Sequence, residues 1–150
     1  MFEPFDTALI ERHLADEVSA VQSVGGAADY AAVTEMRGFR HGTAYVVLAQ
    51  EVNTADPDAQ PGARQRGKSQ ALVTFGVIVA VRNYRDSTGD AAKKDAMPLI
   101  GSVRKALLGW TPDLGIMRPI AWKQGDVLDY DKNTLLWIDV FTTTRFIGGN

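Results

Sequence analysis

From Leu72 to Val81 the chain reads Leu-Val-Thr-Phe-Gly-Val-Ile-Val-Ala-Val, and it then turns polar through Arg82-Asn83-Tyr84-Arg85-Asp86. A β-branched run of this kind predicts a strand buried on both faces, because a one-sided antiparallel strand alternates apolar with polar positions. Both faces then need cover, from helices or from a neighbouring subunit. Thr43 to Val52 has the same character: Ala44, Val46 and Leu48 fall on one face, Tyr45, Val47 and Ala49 on the other. It is read as a central strand, hairpin partner of a strand running from Ala71 to Arg82.

The helical patterns lie around this pair. Ile10, Leu14, Val18 and Val21 recur at helical spacing while Glu11, Arg12, Asp16 and Glu17 lie elsewhere around the axis, predicting an amphipathic helix from Asp6, its N-cap, to Val21. Gln22 to Gly26 fits a short edge strand or a turn, and Ala27 to Met36 a short helix broken by Gly38. Leu99, Ile100, Val103 and Leu107 form the stripe of a third helix that Gly109 and Pro112 stop. Pro98 is harmless only in a first turn, so either the helix starts near Asp95 or an earlier helical segment kinks at the proline. Two more strands are expected, Met117 to Lys123 and Leu135 to Arg145, with turn chemistry at Gly125-Asp126 and Asp131-Lys132-Asn133. The fold expected is α/β in the α+β sense, a single domain over residues 1–150 with a mixed or mostly antiparallel sheet of about four to five strands and helices packed against it.

Between Asn53 and Ser69 the pattern stops. Apart from Pro57 and Pro61, no aliphatic or aromatic side chain larger than alanine occurs there, while Arg64, Arg66 and Lys68 do. Such a segment buries too little apolar surface to offset ordering costs of roughly 1–2 kcal/mol per residue, so a long mobile loop is expected at 53–69. Loops beyond about 12–15 residues are uncommon in compact domains unless they are functional or disordered, which makes this one a candidate interaction arm or a solvated hairpin tip.

Composition narrows the function classes. A chain of 150 residues buries roughly 68–70% of its unfolded surface and can fold without staples. It has no cysteine, so disulfides, thiolate zinc sites and cysteine nucleophiles are excluded. Lys plus Arg is 16 against 18 Asp plus Glu, a net charge of −2 without the basic excess of a duplex-binding surface. No leader pattern and no apolar run of membrane-spanning length occurs, so a cytoplasmic site of synthesis and use is expected.

Catalytic patterns are absent. His13 and His41 are not paired at metal-binding spacing, and Gly25-Gly26 and Gly148-Gly149 lack the spacing of a phosphate loop. Counting an EF-hand from Asp126 puts Asp131 at the required glycine and Trp137 at the required glutamate, which rejects calcium of that type. No serine sits in a nucleophile elbow. No metal, cofactor or catalytic residue is therefore expected, and no enzyme.

Four blocks, in order, carry a family likeness: Val24-Gly25-Gly26-Ala27-Ala28-Asp29, Phe75 to Asp86, Leu107-Leu108-Gly109-Trp110-Thr111-Pro112 and Trp137-Ile138-Asp139-Val140-Phe141-Thr142-Thr143. Together they resemble the tail terminator proteins of long-tailed bacteriophages and prophages. The likeness spans most of the chain, departing at Met97-Pro98 and at the long loop. It implies a structural virion protein that forms a ring, usually hexameric, on the head-proximal end of the tail tube. There the ring stops tube polymerisation and presents the surface for head-tail joining. Implied partners are further copies of the chain, the tail tube protein and a head-tail connector or neck protein. No membrane and no sequence-specific nucleic acid is implied, the ring's lumen being an implied passage for DNA. The implied location is the tail or neck of the virion, reached from the host cytoplasm during assembly.

A closed ring repeats one heterologous interface, so each subunit needs two different complementary patches. Arg82, Arg85, Arg104, Arg118 and Arg145 lie at or near element ends, where guanidinium groups can pair with a neighbour's Asp86, Asp90, Asp126 or Asp139. Taken one at a time, each also fits an ordinary surface charge worth about 0–1 kcal/mol. Trp110, Trp122 and Trp137 are core residues or interface anchors, with core favoured for Trp137. The residues singled out for a subunit or tube interface are Arg64, Arg66, Lys68, Arg82, Arg85, Asp86, Trp110 and Arg145. Alternatives are another tail or neck component, such as a tail-tube or head-completion protein, or a small ligand-binding α/β domain.

Overall fold

The structure, a computed structural model, describes residues 2–54, 68–82 and 90–148, with the backbone alone at 68 and 90–95. The described elements run α1 (Ala8–Glu17), β1 (Ser23–Gly26), α2 (Ala27–Ala32), a 3-10 turn (Met36–Gly38), β2 (Thr43–Asn53), β3 (Lys68–Arg82), α3 (Asp90–Leu107), β4 (Ala121–Tyr130) and β5 (Thr134–Gly148). They form an α+β domain on one five-stranded mixed sheet ordered β1-β2-β3-β5-β4. β1 lies parallel to β2, and every other neighbouring pair is antiparallel.

The doubly apolar run of β3 becomes the middle strand, hydrogen-bonded to β2 and β5 along its length. Its Val73, Phe75, Val77, Val79 and Val81 face α1 and α3, where Ile10, Leu14, Leu99, Ile100, Val103 and Leu107 complete the main core. Phe75 stands opposite Phe141 with ring centroids 5.6 Å apart. Fully burying side chains of this size contributes roughly 1.5–3 kcal/mol each. Among the described residues the opposite face is covered over one end: Tyr30, Val33, Met36 and Phe39, from α2 and the 3-10 turn, pack on Tyr45, Ile78, Ala80 and Leu136. Elsewhere on that face Val52 and Phe146 are exposed.

Several boundaries differ from the sequence reading. α1 ends at Glu17, not Val21, although Val18 remains buried just past its end. Thr7 takes the N-cap position, while the Asp6 carboxylate accepts the Ala8 N–H at 3.0 Å. Of the two readings offered at Pro98, the longer helix is the one found, since α3 passes through the proline and Ser102 Oγ donates to the Pro98 carbonyl at 2.9 Å. Gly109 ends the structure after α3 at φ +80°, a conformation that costs glycine little. The largest correction concerns β4. It spans Ala121–Tyr130, so Gly125-Asp126 lie inside a strand instead of a turn, and Met117 contributes only an isolated bridge to Arg145. The turn predicted at Asp131-Lys132-Asn133 does join β4 to β5, where Asp131 Oδ1 accepts the N–H groups of Asn133 and Thr134 at 2.8 Å each. Most of the loop expected at 53–69 lies outside the described residues.

Candidate functional site

Asp139 is the centre of the most highly organised polar cluster. On β5 it takes an inward position between Phe141 and Trp137, and it is 2% exposed. A carboxylate there must be paired to be tolerated. Arg104 of α3 supplies a fork, Nε and Nη2 each donating at 2.8 Å, and Trp122 Nε1 donates to Oδ1 at 3.0 Å. The hydrogen bond with Asp139 holds the Arg104 pKa above its usual value, so the guanidinium keeps its charge at any working pH. Its Cζ lies 5.0 Å from the Trp122 ring centroid and 5.8 Å from that of Trp137, a cation–π arrangement on both indoles.

The cluster locks α3 to the outer strand and fixes the orientation of Trp122, which is 45% exposed. Gly125 makes the close approach possible. A Cβ there would lie 2.5 Å from Asp139 Oδ1, 2.6 Å from the Trp137 ring and 2.8 Å from Arg104 Nη2. Gly125→Val is accordingly expected to cost about 1–3 kcal/mol, as overpacking does. Thermal unfolding followed by tryptophan fluorescence checks it; an unchanged midpoint would contradict this packing.

A second cluster sits at the other end of the sheet. There the Arg82 guanidinium donates to the Arg37 carbonyl at 2.6 Å, and the Arg82 N–H donates to His41 Nδ1 at 3.0 Å. Arg40 lines an adjoining cleft with Ser23, Val24, Gly25, Asp29 and Tyr45. Burial, and next the Asp29 carboxylate, raise the Tyr45 pKa, so the phenol stays protonated. Arg37 is 81% exposed and pairs with Glu35 on the surface.

Of the residues singled out in sequence, Arg64, Arg66, Arg85 and Asp86 lie outside the described residues, and Lys68 opens β3 opposite Gly148. Arg82 belongs to the basic corner. Trp110 stacks on His13 at a centroid distance of 3.6 Å, and the His13 Nε2–H donates to the Ala106 carbonyl at 2.9 Å. Arg145 is buried at 3% exposure, where it pairs with Glu51 at 3.1 Å and donates to the Glu3 carbonyl at 2.5 Å. Arg104 and Asp139, considered as partners for a neighbour's charges, pair with each other.

The chemistry available is that of packing and pairing. Ser102 and His13 line one depression beside α1 and α3, yet each is committed to a different backbone carbonyl. No group of three or more metal-ligating side chains exists among the described residues, and no described helix is long and apolar enough to cross a membrane.

The whole chain, residues 1–150, matches the family model of the phage tail terminator protein. The chain belongs to the phage tail terminator family. Among solved structures it is similar to a chain of the virion of a native gene transfer agent particle, with a TM-score of 0.57 and 17% identity over 95% of this chain and 94% of that one. At that identity the likeness speaks for the fold. No curated protein matches the chain. As a tail terminator family member the protein is a structural component of the phage tail, which argues against an enzymatic role. Sequence reasoning missed the bond between Arg104 and Asp139, although an acidic residue at an inward position of an apolar strand was a signal for it.

Proposed function

We propose that this tail terminator protein forms a ring of identical subunits that caps the head-proximal end of the tail tube, stops tube polymerisation and offers the surface to which the head joins. The observation that carries the proposal is the family match over the entire chain. The organisation of the subunit supports it. Its polar clusters hold strands and helices in place and bring no nucleophile to a base, and one sheet face and both sheet edges offer surface for assembly. Partners in this reading are further copies of the chain, the tube protein and a neck protein, with Trp110 and Arg82, as well as Arg64, Arg66, Lys68, Arg85 and Asp86, as candidate contacts. Arg145 contributes by holding the N-terminal segment and β2 to the sheet.

Imaging of intact particles with the protein tagged tests the placement. A single ring at the neck with the mass of a hexamer is expected. Copies distributed along the tube would indicate a tube protein instead.

A further inference from the structure

The sheet ends in two unlike edges. β4 forms one, a ten-residue strand whose outer side has no strand beside it among the described residues. Long edges left open in this way invite pairing with another chain. Here the edge is also apolar: Trp122, Val127, Leu128 and Tyr130 are 45%, 50%, 42% and 44% exposed. Trp122 is held rigid by Asp139 and so presents a large side chain at low entropic cost, the character of an interface anchor. β1 forms the other edge, only four residues long, with the Arg40-lined cleft beside it.

Three features make these edges complementary. Direction is the first. β1 is parallel to β2, β2 opposes β3, β3 opposes β5 and β5 opposes β4, so β4 runs against β1. Two copies related by rotation about an axis along the strands therefore bring β4 of one antiparallel to β1 of the next. Charge is the second. Asp126 and Asp129 share a face with their partners Ile138 and Leu136, the face that carries the 3-10 turn with Arg37 and, nearby, Arg40. Side by side, the acidic pair of one copy meets the basic pair of the next on the same side of the joined sheet. Availability is the third: among the described residues the Arg37 guanidinium pairs with an exposed partner, Glu35, and such pairs are worth about 0–1 kcal/mol.

We infer that the outer edge of β4, with Trp122 as anchor and Asp126 and Asp129 as charges, docks on the β1 edge and the Arg37–Arg40 corner of a neighbouring copy. This rests on the ring proposed above and assigns its repeated interface. An interface of this heterologous kind closes into a ring when the rotation per subunit divides the circle.

The absence of native cysteine permits a clean test. A Ser23→Cys, Leu128→Cys double variant, treated with a short bismaleimide as purified protein and on assembled tails, should give a ladder of linked species ending at the ring size. Either single variant should stop at dimers at most. In parallel, Asp126→Lys with Asp129→Lys, or Arg37→Glu with Arg40→Glu, should weaken association at least tenfold by native mass measurement, and the four changes together should restore it. Circular dichroism confirms that each variant folds. If the unmodified protein assembles but the double-cysteine variant gives no ladder, and the charge reversals leave association unchanged, the inference is overturned and the ring stands. If the unmodified protein is monomeric both in solution and on tails, both fall.

Discussion

Glu51→Ala is expected to destabilise the subunit by about 3–5 kcal/mol, the cost of stranding a buried charge. Arg145 is 3% exposed, and its Nη2 reaches the Glu51 carboxylate and the Glu3 carbonyl, while its Nε has no partner among the described side chains. Without Glu51 the guanidinium keeps one neutral acceptor and cannot lose its proton. The same carboxylate accepts the Phe5 N–H at 2.6 Å, so that amide loses its acceptor as well. Phe5 packs on Phe75 at 6.0 Å, and loosening it opens the core beneath the N-terminal segment. The thermal midpoint should fall by on the order of 10 °C for a domain of this size. Glu51→Gln, which keeps an acceptor, should fall less. A shift of less than about 2 °C in the alanine variant would contradict the assignment of Arg145 to the interior of the subunit.

This pairing also shows what sequence conceals. Arg145 follows Thr142-Thr143-Thr144 and reads as the polar end of a strand. Its burial depends on β5 continuing to Gly148 and on β3 starting at Lys68, so that Ala71 stands opposite Arg145 inside the sheet. Contacts separated by 94 residues, as between Glu51 and Arg145, leave no local pattern. The β2–β3 pair, by contrast, was legible because apolar runs on both faces have one explanation, a strand covered twice. The stripe of α3 was legible for the same reason.

β4 was misplaced for a definite physical cause. Its pairing with β5 shifts register between Trp122 and Gln124 and again between Val127 and Asp129. Each bulge inserts a residue and interrupts the two-residue alternation by which a strand is recognised. Gly125-Asp126 then looks like a turn, when the glycine is there to admit the Arg104–Asp139 pair. The candidate interface was legible only in kind: tryptophans and element-end charges were noted, but their grouping into two opposite edges depends on strand order.

The largest functional effect is expected from removing the protein altogether. On the function proposed above the protein acts stoichiometrically at one place, so its loss is not compensated by remaining turnover, as a weakened enzyme's would be. Its edges and half-covered sheet face fit assembly, and its family ties it to the tail. Loss of the cap should therefore change the product of assembly, not its rate. Particles made without this chain, examined by negative-stain microscopy with tube lengths measured, test that claim most directly. The account predicts tails of uncontrolled length, or tails that fail to join heads, with both defects corrected when the protein is supplied in trans. Tails of normal length joined to heads in its absence would contradict it.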